Sequence, residues 1–413
     1  MTYIEFFDDD AVVNVCACLA HAPKRVVILG DKMKRMQSHA KRYRELFAQR
    51  GQQIEFVCRS INRNNLQSIV DALTQIVERY PDGAFGLTGG EDLCLVAMGI
   101  VSERFRDRNV QMHRFNIQSG SIIDCDQDGN VLAYLERPQL TVAENIRIYG
   151  GDVVYDTEVP GGTHLWRWDE EFTRDFAALW RLCCREGRAW NSRIGVLAAA
   201  DMLSETKDTP LTVTAQLRTL KNHLRYTDKK FASVEALLQQ LYEAGLLTQY
   251  CCDQQTLTLT FKNKQIRKCL TNAGVVLELV ICWAAKQATH DGQPVYGDVL
   301  SGVCIDWDGS VRQAGAETRN EIDVMMMHGL VPVFVSCKNG DVQIDELYKL
   351  NTVAHRFGGQ YAKKVLVTTA LKQLPNASYI RTRAADMGIR LVENIWKKDE
   401  QQLQKIVQNL WRN

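Results

Sequence analysis

The stretch EIDVMMMHGLVPVFVSCKNG, from Glu321 to Gly340, carries the pattern that decides the fold of the C-terminal part of the chain. Two runs rich in Val, Ile, Met and Phe flank a short segment that contains glycine. This pattern is typical of two antiparallel strands joined by a tight turn. It therefore predicts a hairpin, with Gly329 and Leu330 in its turn.

The register of this hairpin determines which polar side chains meet. A turn at Gly329 and Leu330 places Asp323 opposite Ser336 and Glu321 opposite Lys338, and directly opposed residues share a face of the sheet. A slip of one residue would separate Asp323 from Lys338, because side chains alternate between the two faces. The predicted convergence is therefore conditional on the register.

These residue types suit phosphodiester hydrolysis. A divalent cation polarises the phosphate and generates hydroxide, and Mn²⁺ or Mg²⁺ prefers oxygen ligands. A nearby lysine stabilises developing charge or orients the water. Glu278 lies in the otherwise apolar segment VVLELVIC, where an unpaired carboxylate is costly to bury. Each charge alone also fits a solvated surface, but together they predict a site made of Asp323, Lys338, Glu321, Glu278 and Ser336.

The order of apolar segments predicts an α/β protein with three units. In residues 1–150, short apolar runs alternate with helix-like segments, which predicts a mostly parallel, Rossmann-like sheet. Residues 151–192 form a connector that contains an amphipathic helix. Residues 193–268, with helical segments that include TVTAQLRTLKNHL, predict a winged-helix-like module; it lacks a basic recognition helix, so we favour a packing role over DNA binding. Residues 269–413 have the element order of a restriction-endonuclease-like core.

Composition narrows the class of protein. A chain of 413 residues with a net charge of +1 suggests two or three domains and excludes a global attraction to nucleic acid. The 13 cysteines contain no CxxC motif, which favours reduced thiols over disulfides or a zinc site. The first residues lack the layout of a signal peptide, and the most apolar helical segment is too short to span a bilayer. We therefore expect a cytoplasmic protein with no membrane partner.

A second informative stretch, AFGLTGGEDLCLVAMG from Ala84 to Gly99, reads as a strand that runs through a glycine pair into a helix. Glycines let a backbone approach a ligand closely, and the amides that begin a helix suit an anion. Acidic residues at this point suit ribose hydroxyls or helix capping better than phosphate. The predicted ligand contacts of this loop are Thr88, Gly89, Gly90, Glu91 and Asp92.

The loops after the other parallel strands are expected at the same edge of the sheet, where open α/β sheets bind ligands. Lys32 and Lys34 are candidate phosphate contacts, although the basic run around them also fits a solvated helix face. The aspartates of the first loop could instead cap a helix. The predicted contacts are Asp8, Asp9, Asp10 and Asn14 from the first loop and Gly30, Asp31, Lys32 and Met33 from the second.

Together, the two stretches resemble CRISPR-associated CARF–nuclease effectors. NEIDVMMMHGLVPVFVSCKNG…ELYKLNTVAHRFGG resembles their PD-(D/E)xK nuclease domain, and the Leu-Thr-Gly-Gly turn resembles the signature of their CARF domain. The resemblance implies a homodimeric nuclease of type III CRISPR antiviral defence, activated by a cyclic oligoadenylate, with four adenylates as the preferred ring size. It implies Mn²⁺ or Mg²⁺ as cofactor and DNA, single-stranded RNA or both as substrate.

The resemblance also assigns roles to residues. It implies that Asp323 is the metal-binding aspartate of the motif, that Lys338 is its lysine, and that Glu278 and Glu321 are supporting acids. Ser336 departs from the motif, which has an acid there, and Gly86 departs from the CARF signature, which usually has asparagine. The predicted metal ligands are Asp323, Glu278 and the backbone carbonyl of Cys337, with Glu321, Asp341 and Glu346 as alternative replacements for the missing acid.

Two alternatives to a gated nuclease stay open. The departure at Ser336 fits a catalytically degenerate sensor, in which a CARF domain and a winged-helix module act as a regulator. A sensor that also degrades its own ligand, a ring nuclease, ranks lower because no nucleophile or general base identifies itself in residues 1–150.

Overall fold

The computed structural model describes residues 1–133, 138–204, 211–309, 319–340, 342–369, 371 and 377–412. It is a mixed α/β structure with three main sheets. All thirteen cysteines are free thiols, in agreement with the expectation from composition. Within the described ranges, no helix is long and apolar enough to cross a membrane.

The N-terminal unit is built on a seven-stranded sheet. Its elements are β1 (Thr2–Phe6), α1 (Val13–His21), β2 (Arg25–Gly30), α2 (Met33–Gln49), β3 (Glu55–Ser60), α3 (Leu66–Arg79), β4 (Gly83–Gly86), α4 (Asp92–Arg104), β5 (Gln111–Asn116), β6 (Ser121–Cys125), β7 (Val131–Ala133) and α5 (Val142–Ile148). The strand order is β3-β2-β1-β4-β5-β6-β7, parallel up to β5 and antiparallel beyond it. The central strands are almost wholly apolar because helices cover both faces.

The middle of the chain is mostly helical. Its elements are β8 (Asp152–Val153), α6 (Glu170–Glu186), α7 (Trp190–Met202), β9 (Thr212–Gln216), α8 (Leu217–Leu224), α9 (Asp228–Glu243), β10 (Leu247–Cys252), β11 (Thr256–Phe261) and α10 (Lys264–Thr271). The three strands β10-β11-β9 form a small antiparallel sheet. The predicted helix from residue 212 to 224 is wrong in its first part, because Thr212–Gln216 pairs with β11 as a strand. Its β-branched residues favour that pairing.

The C-terminal unit contains the predicted hairpin. Its elements are α11 (Val275–Gln287), β12 (Thr289–His290), β13 (Gln293–Pro294), β14 (Asp298–Asp306), β15 (Arg319–His328), β16 (Val331–Lys338), α12 (Ile344–Gly358), β17 (Lys363–Thr368), α13 (Ala377–Asp386), β18 (Ile389–Glu393) and α14 (Glu400–Gln408). The sheet order is β18-β17-β16-β15-β14-β8. The predicted register is confirmed, since Val324 lies opposite Val335 and His328 opposite Val331.

Two large apolar cores meet at the C-terminal sheet. On one face, residues such as Met325 and Phe334 join a core that continues into the N-terminal unit. On the other face, Val324 and Val335 pack with α11 and the middle helices. The alternation of side chains along β15 and β16 thus attaches this sheet to both other parts of the chain.

Candidate active site and ligand groove

Four of the five predicted catalytic residues lie at one end of β15 and β16: Glu321, Asp323, Ser336 and Lys338. They line a cavity of about 380 Å³ together with the first turns of α12. The fifth, Glu278, lies on α11. The paired part of the hairpin ends, away from its turn, at Val324 and Val335. Asp323 is the next residue in that direction, and it faces Ser336 as the register requires. The cavity is lined by Arg319, Asn320, Glu321, Ile322, Asp323, Ser336, Lys338, Glu346, Lys349, Leu350 and Val353.

The carboxylate of Asp323 is held in one orientation. Its Oδ2 accepts hydrogen bonds from Ser336 Oγ at 3.1 Å and from the Cys337 amide nitrogen at 2.5 Å. Lys338 Nζ lies 3.7 Å from the same oxygen. Among the described residues, none donates a hydrogen bond to the other oxygen, Oδ1, which leaves it available for a cation.

Lys338 is held between two acids. Its Nζ lies 3.0 Å from Glu346 Oε2, in the first turn of α12, in addition to its contact with Asp323. Burial lowers the pKa of Lys338, but Asp323 and Glu346 outweigh this and raise it overall. Burial likewise raises the pKa of Glu346, and the ion pairs with Lys338 and Lys349 outweigh it and lower the pKa overall. The ammonium group is therefore cationic at neutral pH.

Two glutamates complete the acidic side of the site. Burial first, and then Asp323 and Glu321, raise the pKa of Glu278 to about 8. Burial and the neighbouring Asp323 also raise the pKa of Glu321. A Cβ atom at Gly302 of β14 would lie 3.7 Å from Glu321 Oε1 and 3.8 Å from Glu278 Oε2. Both carboxylates therefore converge on a point where glycine leaves space.

This donor set fits a divalent cation of the Mn²⁺ or Mg²⁺ type. Oxygen ligands are those that such ions prefer, and neighbouring carboxylates repel one another unless a proton or a cation lies between them. Within the described residues, no three of these acidic ligand atoms lie within 4.8 Å of one another. Metal binding would therefore draw Glu278, Glu321 and Asp323 closer together.

The structure bears differently on each candidate for the missing acid. Ser336 donates its hydroxyl to Asp323. Glu346 is engaged by Lys338, and Asp341 lies outside the described residues. The amide group of Cys337 donates a hydrogen bond to Asp323. The Cys337 carbonyl stays a predicted ligand.

In the N-terminal unit, the side chain of Asn14 holds the loop between β1 and α1 in place by hydrogen bonds to its backbone. This side chain is fully buried. Its Oδ1 accepts a hydrogen bond from the Asp8 amide at 2.9 Å, and its Nδ2 donates to the Asp8 carbonyl at 2.8 Å. Asn14 therefore supports the loop and has no surface to offer a ligand.

The exposed charges of this loop are paired within the chain. Asp9 contacts Lys32 at 2.9 Å and Arg35 at 3.0 Å. The hydrogen bond from Lys32, together with the charge of Arg35, lowers the pKa of Asp9. A phosphate that binds Lys32 would have to displace Asp9. Lys34 is exposed on α2, and Asp31 and Met33 lie beside it at the start of the helix.

The Asp10 side chain contacts the C-terminal unit. It is 8% exposed. Its Oδ2 accepts a hydrogen bond from the Gln360 amide at 2.9 Å, and its Oδ1 accepts one from the Tyr149 hydroxyl. A cavity of about 630 Å³ beside this contact is lined by Arg35, Arg42 and Arg356, among others. Asp10 thus connects the β1–α1 loop of the N-terminal unit to the segment that follows α12.

The glycine pair after β4 is required by close packing. Cβ atoms at Gly89 and Gly90 would lie 3.1 Å from the Phe6 carbonyl and 3.2 Å from its ring, and Gly90 has a φ of +101°. Thr88 Oγ1 accepts a hydrogen bond from the Phe115 amide at 3.0 Å, so it links the loop after β4 to β5. Glu91 and Asp92 are exposed at the start of α4 and face solvent.

Two further glycines show the same kind of close packing. A Cβ atom at Gly86 would lie 2.7 Å from the Tyr3 hydroxyl, and one at Gly30 would lie 2.9 Å from Met36 Sδ. The asparagine expected at Gly86 would therefore collide with Tyr3. Only glycine leaves enough space for the Tyr3 ring at position 86.

Sequence reasoning missed Arg63, which joins three loops at this edge of the sheet. Its guanidinium group donates a hydrogen bond to the Phe7 carbonyl and lies 3.6 Å from both Asp31 and Glu91. Arg63 follows β3, whose end lies at the same edge as those of β1, β2 and β4. The rule that predicted the other loops should therefore have included it.

The fold is shared with known proteins over nearly the whole chain. No family model matches the sequence, and a search of curated proteins finds no similar one. The crystal structure of protein VC1899 from Vibrio cholerae aligns with a TM-score of 0.70 and 21% identity, covering 100% of this chain and 97% of that one. Can2 from Sulfobacillus thermosulfidooxidans, solved in complex with cyclic tetra-adenylate, aligns with a TM-score of 0.63 and 17% identity, covering 98% and 97%.

A third solved structure, a type III CRISPR defence DNA nuclease activated by cyclic oligoadenylate, aligns with a TM-score of 0.46 and 15% identity. It covers 89% of this chain and 45% of that one and is too distant to guide interpretation. Can2, solved with bound cyclic tetra-adenylate, is thus among the proteins that share this fold. At these identities the likeness extends to the fold.

Proposed function

We propose that this protein is a metal-dependent nuclease of type III CRISPR antiviral defence that a cyclic oligoadenylate activates. The observation that carries the proposal is that Glu321, Asp323 and Lys338 line one cavity, with the buried Glu278 close enough for their charges to shift its pKa. Three acids in a partly buried site are costly without a cation. A nuclease site gives a reason for this arrangement that a structural role does not.

Asp323 and Glu278 are the proposed metal ligands, with Glu321 and the Cys337 carbonyl as further donors. A bound Mn²⁺ or Mg²⁺ would supply Lewis acidity at the phosphate and an activated water. Ser336 and the Cys337 amide orient Asp323 through their hydrogen bonds. Lys338, kept cationic by Asp323 and Glu346, stabilises negative charge on the phosphate oxygens.

The proposed activator is cyclic tetra-adenylate, bound at the edge of the N-terminal sheet. The complex of Can2 with this ligand supports the choice because Can2 shares the fold. The amides that begin α4 suit a phosphate, and glycines such as Gly89 and Gly90 have no side chain to keep a ligand from their backbone. Lys32 is the proposed phosphate contact once the ligand displaces Asp9.

We propose a homodimer in which both copies contact one ring. A symmetric ligand can meet identical loops from two chains across a twofold axis. Leu93 and Val96, three residues apart on α4, are 39% and 50% exposed. They lie next to Glu91 and Asp92, so an apolar contact between two copies of α4 would place both predicted ligand loops together.

The test is cleavage of supercoiled plasmid and labelled single-stranded RNA by the purified chain with Mn²⁺, with and without cyclic tetra-adenylate. We expect ligand-dependent nicking or cleavage of DNA, and the RNA arm decides whether RNA is also a substrate. Asp323→Asn should reduce the rate by at least about 100-fold while leaving ligand binding intact. Exposed Asp386, on α13, provides the matched control Asp386→Asn.

A catalytically degenerate sensor is the second candidate, and Ser336 is the observation that favours it. A chain that binds the ligand but cuts neither substrate with either metal would support this candidate. Ligand-dependent cutting that disappears in Asp323→Asn would exclude it.

A further inference from the structure

The N-terminal unit holds a second cluster of metal-ligating side chains, separate from the nuclease site. His21 ends α1, His113 lies in β5 and Asp124 lies in β6. His113 and Asp124 are directly opposed across the antiparallel β5–β6 pair, so they share a face of the sheet. The C-terminal end of α1 places His21 over them.

The distances in this cluster suit a small cation. His21 Nε2 lies 3.3 Å and His113 Nε2 lies 3.9 Å from the same oxygen, Asp124 Oδ1. In the described part of the chain, this is the group of three potential ligands whose atoms all lie within 4.8 Å of one another. Tetrahedral zinc, with bonds of about 2.0–2.2 Å, places its ligands about 3.3–3.5 Å apart.

The ligand atoms are buried, and His113 Nε2 has one long contact, at 3.4 Å from Gln111 Oε1. The side chains of His21, His113 and Asp124 are 9%, 1% and 11% exposed. Within the described residues, His21 Nε2 and Asp124 Oδ1 have no hydrogen-bond partner. Nearly all buried polar atoms in proteins have a partner, and a cation between His21 Nε2 and Asp124 Oδ1, which lie 3.3 Å apart, would supply one to both atoms.

We propose that His21, His113 and Asp124 bind a divalent transition-metal ion of the zinc class. Two imidazole nitrogens and one carboxylate form a donor set that Zn²⁺ accepts, whereas Mg²⁺ and Ca²⁺ prefer oxygen alone. The two imidazole rings are stacked, with centroids 4.1 Å apart. A shared ion lies in the plane of each ring, so binding turns the rings out of this stack.

The ion would fasten α1 to the edge of the N-terminal sheet. Helix α1 begins just after the loop of Asp8, Asp9 and Asp10, and it ends at His21. Its nine residues place the two ends about 13 Å apart. Metal binding at one end would therefore stabilise the helix that carries the predicted ligand loop at its other end.

Cobalt titration tests the proposal directly. Untagged full-length protein carrying Asp323→Asn, which weakens the nuclease site, is freed of metal with a chelator and titrated with Co²⁺. We expect one equivalent to produce the visible d–d absorption of four- or five-coordinate cobalt, and one equivalent of Zn²⁺ to remove it. Absence of this absorption in a folded protein would overturn the proposal and leave an ordinary buried His–Asp pair.

Variants locate the ion. In the same background, His113→Asn and Asp124→Asn should each abolish the cobalt absorption, and zinc content by elemental analysis should fall from one equivalent to near zero. His290, which is 59% exposed, provides the matched control His290→Asn, which should keep both. Circular dichroism reports folding. Cobalt absorption that survives in both cluster variants would assign the ion to other residues and contradict the proposal.

Discussion

At the scale of single residues, Ser336 orients Asp323, the proposed metal ligand, and supplies no carboxylate of its own. Its hydroxyl donates to Asp323 at 3.1 Å, and a hydrogen bond to a charged group contributes about 1.5–3 kcal/mol. We expect Ser336→Ala to slow cleavage by roughly 10- to 100-fold, with activity still measurable. Initial rates on plasmid, beside the control Ser233→Ala on the remote helix α9, would measure this. A loss as complete as that of Asp323→Asn would mean that Ser336 acts on the substrate directly.

Glu278 should make stability depend on pH in the absence of metal. Its pKa is about 8 in the folded protein and near the ordinary value of about 4.3 in the unfolded chain. Between these values only the folded state keeps the proton, so the free energy of unfolding should fall as pH rises from about 4.5 to 8 and level off above it. Urea unfolding of chelator-treated Glu278→Gln should lack most of this fall. A wild-type profile that rises across this range would refute the assignment.

Sequence reasoning found residues whose neighbours in sequence made them unusual. Glu278 was identifiable because a carboxylate interrupts an apolar helix, and Asp323 because the hairpin register brings it to Lys338. Arg63 was missed because nothing in its immediate sequence marks it, and its partners Asp31 and Glu91 come from other loops. Residues defined by contacts between distant segments leave no local pattern.

At the scale of elements, the strong periodic segments were predictable and the short ones were not. The amphipathic helix predicted within residues 151–192 corresponds to α6, and the predicted hairpin strands correspond to β15 and β16. The two-residue strand β8 was not predicted, because it exists only through its pairing with β14. The glycine at position 302, inside β14, was not predicted either. Its φ of +56° favours glycine, and its neighbours Glu278 and Glu321 come from other elements.

If the N-terminal unit senses the ligand as proposed, the contact between its β1–α1 loop and the C-terminal unit should hold the ligand-free protein in its resting arrangement. Asp10 accepts a hydrogen bond from Gln360 across this boundary, and Tyr149, in the N-terminal unit, donates a second one that holds the Asp10 carboxylate in place. Tyr149→Phe removes one of them and keeps the ring. A hydrogen bond of this kind contributes about 1 kcal/mol, so its loss should raise the rate of ligand-free cleavage about fivefold. The rate with saturating ligand should stay unchanged. Comparing both rates with those of exposed Tyr242→Phe tests this, and an unchanged ligand-free rate would contradict it.

At the scale of the whole molecule, the arrangement of the units depends on contacts that no local pattern encodes. Asn145 Nδ2 donates to the Phe357 carbonyl at 2.7 Å, across 212 positions of the chain. Arg356 similarly donates to the Tyr149 carbonyl at 2.5 Å. The sequence predicted a sensor-like unit and a nuclease-like unit, but only the structure identifies the shared core through which one can act on the other.

The dimer proposal gives a prediction for the whole molecule. Val96→Glu places a charge in the exposed apolar surface of α4, and desolvating it between two copies would be costly. We expect the wild-type protein to sediment as a dimer and Val96→Glu as a monomer. Because one copy would then contact only half of the ring, its affinity for cyclic tetra-adenylate should fall by at least about 10-fold, or 1.4 kcal/mol.

Leu165, which is 59% exposed, provides the matched control Leu165→Glu. A wild-type monomer that binds the ligand tightly would refute the twofold arrangement, whereas a dimer that survives Val96→Glu would move the interface away from α4.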